Sequence, residues 1–430
     1  MKKTPPTTTA ASLLERLKAT PLYIQIFIAL ILGVTVGVLF NDPQYKDLLN
    51  GLAIFPNLIL KVLKALAPPL ILVAVLHAFL TAEIPARTAP RLLFLLLSNT
   101  VAAIVIGLLV ANTVQPGLHS QLTAPLSGVR ATDKVFDPLG LIESSIPATI
   151  VQPLAENNVL QVVVVAITFG LALRAVKTQQ QQQGKRDYLP LEQAISTLFE
   201  LVIRVLGWVV TLVPFAVFGV VARVVGLQGF APFKALGFFV VAVLLALFLQ
   251  GCFYLTRVGL QSWVKPLDFL KGGSDAFSTA FSTASSTITM PVTFRALTDK
   301  IRLRESSASL GALVGSNFNN DGTALYEAMS ALFIAQLLNQ NLHLEQQLLV
   351  VLTSIVASVG AAGIPEAGLV TMTLVFTAVG LPVEYIVLLV TVDWFLDRCR
   401  TTINVMGDMT VAAVLDGKQP GSKEPLVTGA

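Results

Sequence analysis

Apolar runs close to the roughly 20 residues an α-helix needs to cross a bilayer recur at 24–40, 62–80, 92–110, 160–176, 197–225 and 235–254. Segments of this kind must satisfy their backbone hydrogen bonds within lipid, and a helix does so locally. Only 13% of the residues are charged and 54% are hydrophobic, against about 25% charged in an ordinary soluble domain. The repetition excludes a lone signal peptide, and the first run has no small-residue cleavage site behind it. The expected fold class is an all-α polytopic membrane protein.

The net charge of +4 says less than its placement. With Lys2, Lys3, Arg16 and Lys18 in the cytoplasm, the connections returning to that side carry Arg87 and Arg91, then Lys177, Lys185 and Arg186, then Arg257, Lys265 and Lys271. The opposite connection, 115–158, sets Arg130 and Lys134 against Asp133, Asp137, Glu143 and Glu156, as the positive-inside rule expects. Arg223 and Lys234 count mildly against it. N- and C-termini are expected in the cytoplasm of a plasma or inner membrane protein. The basic clusters serve topology, and nothing points to nucleic acid. Cys252 and Cys399 give neither a disulfide framework nor a metal cluster, and His77, His119 and His343 are too scattered for an imidazole site. A surface helix could begin at 13–17 in the polar leader, and the glutamine run 179–183 reads as a flexible connection.

After residue 254 the texture changes. The apolar segments 276–291, 309–338, 352–379 and 383–415 are broken by Gly, Pro, Ser, Thr and Asn. A lipid-facing helix has no reason to carry such breaks, whereas one buried in protein can use them to offer carbonyls and helix ends to an ion. Two breaks read as tips of re-entrant hairpins. The first, 282–291, lies between basic flanks of cytoplasmic character. The second, 358–368, sets Gly360, Gly363 and Gly368 around Pro365, enters from outside and is suited to gating. Kinked ordinary spans are the simpler alternative. Hairpin and long polar-studded helix occur in the order 274–338, then 348–415, a rough repeat in order and polarity only.

Asp393, Asp397, Arg398, Arg400, Thr401, Asn404 and Asp408 lie within an apolar stretch, where ionisable groups are costly to desolvate. Asp397, Thr401, Asn404 and Asp408 share one helical face, and Arg400 sits about 100° round from Thr401. Asp397 for an ammonium and Arg400 for a carboxylate would suit an acidic amino acid. A ligand-free ion-pair network would leave the hairpin breaks unexplained. Asn317, Asn319, Asn320 and Asp321, followed by Gly322 and Thr323, offer oxygens suited to a hard cation such as Na⁺, with Gly322 expected to free the local backbone. In a soluble loop the same run would be a turn. Glu327 is placed either to carry a proton or to pair with a buried arginine. The serine-rich tip has no histidine or lysine nearby to act as a base, so catalysis is not expected, and hydroxyls with backbone N–H groups suit a carboxylate.

The serine-rich tip ending Thr289-Met290-Pro291, the run from Asn319 to Thr323, the glycine-rich tip and the run from Asp393 to Asp408 resemble the dicarboxylate/amino acid:cation symporter family over 24–414. The resemblance implies a homotrimer of glutamate-transporter-like protomers, each with eight transmembrane helices and two re-entrant hairpins, working as an elevator. Scaffold helices would fall in 1–91 and 115–228, the transport domain in 92–114 and 229–415, and a cytoplasmic tail in 416–430. By similarity the substrate would touch Ser285, Ser286, Thr323, Gly363, Asp397, Arg400, Thr401 and Asn404. One Na⁺ would use Gly315, Asn319, Asn404 and Asp408; another would use Asn319 and Asp321 with Asn99 and Thr100; a third site would lie near Asn317, Asn320 and Ser358.

The combination of Asp397 and Arg400 implies glutamate or aspartate rather than a neutral amino acid or a C4-dicarboxylate. Asn317, Asn320, Asn99 and Leu96 depart from the family pattern near the ion sites, which leaves coupling open between Na⁺ and H⁺. Glu327 matches the glutamate associated with protons and, more weakly, K⁺ counter-transport in relatives. No organic cofactor is implied. An anion channel is the alternative from another class, but a fixed pore has no need of the Asp397 and Arg400 pair.

Overall fold

A computed structural model describes residues 20, 22–52, 54–81, 88–119, 143, 145–360 and 367–419. The leader segment 13–17, Arg87, Arg130, Lys134, Gly363, Pro365 and the tail beyond 419 lie outside the described residues. Among those described there is helix and no strand. The first seven long helices are α1 (Leu22–Leu39), α2 (Ile54–Thr81), α3 (Ala89–Val114), α4 (Val159–Gln182), α5 (Leu189–Val210), α6 (Val213–Gln228) and α7 (Ala231–Gln261). Five described stretches are long and apolar enough to cross a membrane: Pro43–Thr81, Ala89–Leu118, Leu160–Gln182, Leu189–Gln228 and Pro232–Gln261.

The apolar run 197–225, expected as one span, is two helices. Pro214 lies in the first turn of α6 and lacks the N–H with which α5 would continue through it, so the chain breaks at Thr211 and Leu212. α6 packs along α1, where Gly33 and Gly37 leave room for Val221 and Val225: a Cβ on Gly33 would lie 2.9 Å from that of Val221, and one on Gly37 2.7 Å from that of Val225. α2 packs against α4, α5 and α6. Lys177 of α4 fastens this group by donating to the Leu80 carbonyl at 2.8 Å and pairing with Glu192 at 3.0 Å.

The C-terminal half winds around one helix. α8 (Pro266–Thr283) and α9 (Ser286–Arg295) pack on each other as a helical hairpin. At its tip Ala284 takes a left-handed conformation, φ 51°, and Ser285 caps α9 by accepting from Ile288 N at 3.2 Å. α10 (Glu305–Ser309) runs through a π-helical turn (Leu310–Val314) into α11 (Gly315–Phe318), and helical geometry is lost at Asn319 and Asn320 before α12 (Asp321–Leu337) begins. Every residue of α12 is buried. α13 (Leu344–Gly360) and α14 (Ala367–Ala378) form a second packed pair, and α15 (Ile386–Asp416) crosses α12, α7, α8 and α9.

The long polar-studded helix expected within 348–415 is α15, continuous over 31 residues with Gly407 inside it. One further expectation is corrected here. Arg257, expected in a cytoplasmic connection, lies within α7 and is only 7% exposed, because its side chain turns inward onto α3 instead of out to solvent.

Candidate functional site

α15 supplies the charged core of the site. Arg400 is wholly buried, its Nη1 donating to Asp393 Oδ1 at 2.8 Å and its Nη2 to Asp397 Oδ1 at 2.7 Å. The guanidinium carbon sits 4.0 Å from the ring centroid of Tyr326 on α12, which fixes the plane of the group. Arg400 Nε and Asp393 Oδ2 are buried with no hydrogen-bond partner. Leaving such groups unpaired is costly, so a further polar partner is called for. The two residues read from the sequence as separate grips for an ammonium and a carboxylate are therefore bonded to each other in this state.

α12 and the first hairpin wall this core. Asn404 Oδ1 accepts from Gly322 N at 2.7 Å, and its amide lies 3.4 Å from Thr323 Oγ1. Gly322 serves close approach and not the free backbone expected of it: a Cβ there would lie 2.7 Å from the Arg400 carbonyl oxygen. Thr401, Ser285 and Ser286 are buried, and Ser286 Oγ has no hydrogen-bond partner. Arg398 Nη1 reaches back to the first hairpin, donating to the carbonyls of Phe281 at 2.9 Å and Ser282 at 2.5 Å. On the other side α14 closes over the site: Gly368 leaves so little room that a Cβ would lie 3.3 Å from Arg400 Nη2, and Thr371 Oγ1 donates to Glu327 Oε1. Glu327 is fully buried, is not an ion-pair partner of Arg400, and its Oε2 has no hydrogen-bond partner.

The expected ion ligands divide into three groups. Asp408 Oδ1 and Asn319 Oδ1 are buried and unpartnered, and a Cβ on Gly315 would lie 2.5 Å from Asp408 Oδ1. With the Asn404 carbonyl close by, 3.4 Å from Asn319 Nδ2, these form an oxygen-lined recess that fits a small hard cation. Asp321 Oδ1 instead accepts from Thr100 at 2.6 Å and Oδ2 from Tyr254 at 2.5 Å, while Asn99 Oδ1 accepts from Arg257. In the third group, Asn320 Nδ2 donates to the Ser358 carbonyl at 2.9 Å, joining α12 to the second helical pair, whereas half-buried Asn317 bonds back to its own helix at Leu313.

Arg257, Tyr254 and Thr371 were not singled out from the sequence as site residues. A signal existed for two of them: Gln250, Tyr254 and Arg257 recur at i, i+4 and i+7 near the end of an apolar run, which places three polar groups on one helical face.

The family model described as "Sodium:dicarboxylate symporter family" matches residues 22–418. The chain belongs to the sodium:dicarboxylate symporter family. It is thereby an integral membrane protein of a transporter family, not an enzyme family. Excitatory amino acid transporter 3 of Oryctolagus cuniculus is 28% identical over 91% of this chain and 84% of its own length. Excitatory amino acid transporter 4 of Rattus norvegicus is 36% identical over 70% of this chain and 54% of its own. Excitatory amino acid transporter 2 of Mus musculus is 31% identical over 90% and 77% respectively. The family's printed name couples its transport to sodium, and the recess around Asp408 offers oxygen donors of the kind that suit such a cation.

Proposed function

We propose that the chain carries L-glutamate or L-aspartate across a membrane together with Na⁺, H⁺ or both. The observation that carries this reading is the orphaned Nε of Arg400 beside a guanidinium already shared between Asp393 and Asp397. The side-chain carboxylate of an acidic amino acid takes Nε and Nη2. Asp397, released from Nη2, accepts the substrate's ammonium, and Asp393 keeps Nη1. Arg400 and Asp397 each lose one partner and gain another while Asp393 keeps its own, so the exchange leaves no buried charge unpaired. The unpartnered Ser286 hydroxyl, with Ser285, Thr323, Thr401 and Asn404, holds the remaining carboxylate and orients the ammonium.

Cation coupling follows from the same charges. Among the described residues the buried acids are Asp321, Glu327, Asp393, Asp397, Asp408 and Asp416, against Arg257 and Arg400 as the buried bases. A substrate of net charge −1 deepens that excess in a low-dielectric interior, and a cation or proton travelling with it offsets the cost. Gly315, Asn319, Asn404 and Asp408 hold Na⁺, and Glu327 carries a proton. The second helical pair, α13 and α14, acts as the outer gate. α3 and α7 to α15 move as the transport domain against a scaffold of α1, α2 and α4 to α6, in a homotrimer with cytoplasmic termini.

The test is uptake of radiolabelled L-glutamate and L-aspartate by proteoliposomes, with Na⁺, H⁺ and K⁺ gradients imposed one at a time. At least one substrate accumulates unchanged under an inward Na⁺ or H⁺ gradient, and the other inhibits it. Uptake confined to C4-dicarboxylates or neutral amino acids, or a substrate-independent current far above carrier turnover, overturns the reading.

A further inference from the structure

Asp321 and Asp408 are both buried carboxylates, but their oxygens are used differently. Asp408 Oδ1 has no hydrogen-bond partner, whereas each oxygen of Asp321 accepts from a hydroxyl, Thr100 at 2.6 Å and Tyr254 at 2.5 Å. Beside Asp321 stands a permanent cation. Arg257 Nη1 donates to Asn99 Oδ1, Nη2 to Ser98 Oγ at 2.9 Å, and Nε to Gln261 Oε1 at 3.4 Å, so every nitrogen of the guanidinium has an acceptor. Arg257 stands one turn beyond Tyr254 on α7, and Asn99 adjoins Thr100 on α3, so the same two turns that hold Asp321 through hydroxyls also hold the guanidinium, which sets its charge next to the carboxylate. A guanidinium stays protonated at any physiological pH, so the countercharge is always present.

A hard cation at Asp321 would need several oxygens directed at one point. The amide oxygen of Asn99 is turned to Arg257, and an incoming cation would meet the guanidinium's own charge. We infer that Arg257 is a resident cation that stands in for a Na⁺ beside Asp321, so the chain takes up one Na⁺ fewer than the oxygens of Asn99, Thr100 and Asp321 would otherwise hold. This rests on the sodium-coupled reading above. It makes Arg257 a determinant of ion stoichiometry: in place of an ion that must arrive and leave in every cycle, the protein carries a fixed charge that never dissociates.

The experiment counts ²²Na⁺ bound by the purified full-length chain in detergent, without substrate, for the unmodified protein and for Arg257→Leu, Arg257→Lys and Arg257→Leu/Asp321→Asn. Arg257→Leu is expected to bind one Na⁺ more per chain than the unmodified protein. The double variant is expected to lose that increment, and Arg257→Lys, which keeps the charge, to show none. Arg257→Gln, neutral but closer in size, carries the same comparison should Arg257→Leu fail to fold. The proposal is overturned if folded Arg257→Leu or Arg257→Gln binds no additional Na⁺, if the gain survives Asp321→Asn, or if Arg257→Lys gains an ion too. Absence of ²²Na⁺ binding by the unmodified chain overturns the sodium reading instead. A gain in the neutral variants would still be visible against that background.

Discussion

Arg400 and Asp397 lie three residues apart on α15 and bond to each other at 2.7 Å, so the group suited to grip a carboxylate and the group suited to grip an ammonium begin as partners. A zwitterionic acidic substrate can insert between them only by offering both charges at once. A substrate lacking either charge leaves one member of the pair without compensation inside the protein, where that is expensive. On the proposed reading, selectivity is thus written into a bond that has to be exchanged.

Replacing Arg400 by Ala removes the carboxylate grip. A hydrogen bond to a charged group contributes about 1.5–3 kcal/mol, and two are lost, so affinity for glutamate and aspartate should fall by at least about 100-fold while some neutral amino acid binding persists. Competition binding on the purified variant checks this. Unaltered glutamate affinity would remove Arg400 from the substrate site.

Asp408→Asn keeps the shape of the recess beside Gly315 and removes its charge. The Na⁺ concentration for half-maximal uptake should rise at least about tenfold, since a buried carboxylate with a free Oδ1 is the strongest oxygen ligand there. A Na⁺ titration of uptake provides the measurement, and an unshifted curve would locate the ion elsewhere.

Glu327→Gln preserves an acceptor for Thr371 and abolishes the titratable proton. Uptake by this variant should no longer respond to an imposed pH gradient but should keep its Na⁺ dependence. Proteoliposomes with independently set internal and external pH distinguish the two, and a retained response to the proton gradient would assign proton carriage to another group.

At the end of α15, beyond the apolar core, Asp416 accepts from Trp263 Nε1 at 2.8 Å and Arg304 Nε at 2.9 Å. Burial alone would push its carboxyl up, but the hydrogen bonds from Trp263 and Arg304 outweigh that and hold it below the ordinary aspartate range. A depressed carboxyl contributes stability that is present above the unfolded value, about 3.9, and is lost as the pH falls through the lower folded value. Asp416→Asn should therefore melt below the unmodified chain at pH 7. The gap should narrow as the pH is lowered past about 4. Thermal unfolding in detergent across that range reads both effects.

The helical, membrane-spanning character was legible because apolar runs of bilayer length have few other uses, and the shared face of Asp397, Thr401, Asn404 and Asp408 was legible because helical spacing is regular. What could not be read was partnership. That Arg400 takes both Asp393 and Asp397, and that Asn320 reaches the Ser358 carbonyl, depends on which rotamers close packing leaves open. Arg257 was misplaced for a related reason. A basic residue near the end of an apolar run reads as a loop anchor unless the facing helix is known to offer Ser98 and Asn99. Pro214 carried the break between α5 and α6 in plain sight, yet a continuous apolar run masks a proline when length alone is counted.

Arg398 clamps two carbonyls at the tip of the first hairpin, so that jaw of the site is bolted to the helix bearing the substrate grips. The opposite jaw is latched through Asn320 to Ser358 and through Thr371 to Glu327, side chains that neighbour the ion recess or stand to carry a proton themselves. On the proposed reading, movement of the second helical pair therefore requires Asn320 and Thr371 to let go of their partners, beside the groups proposed to take up Na⁺ and a proton.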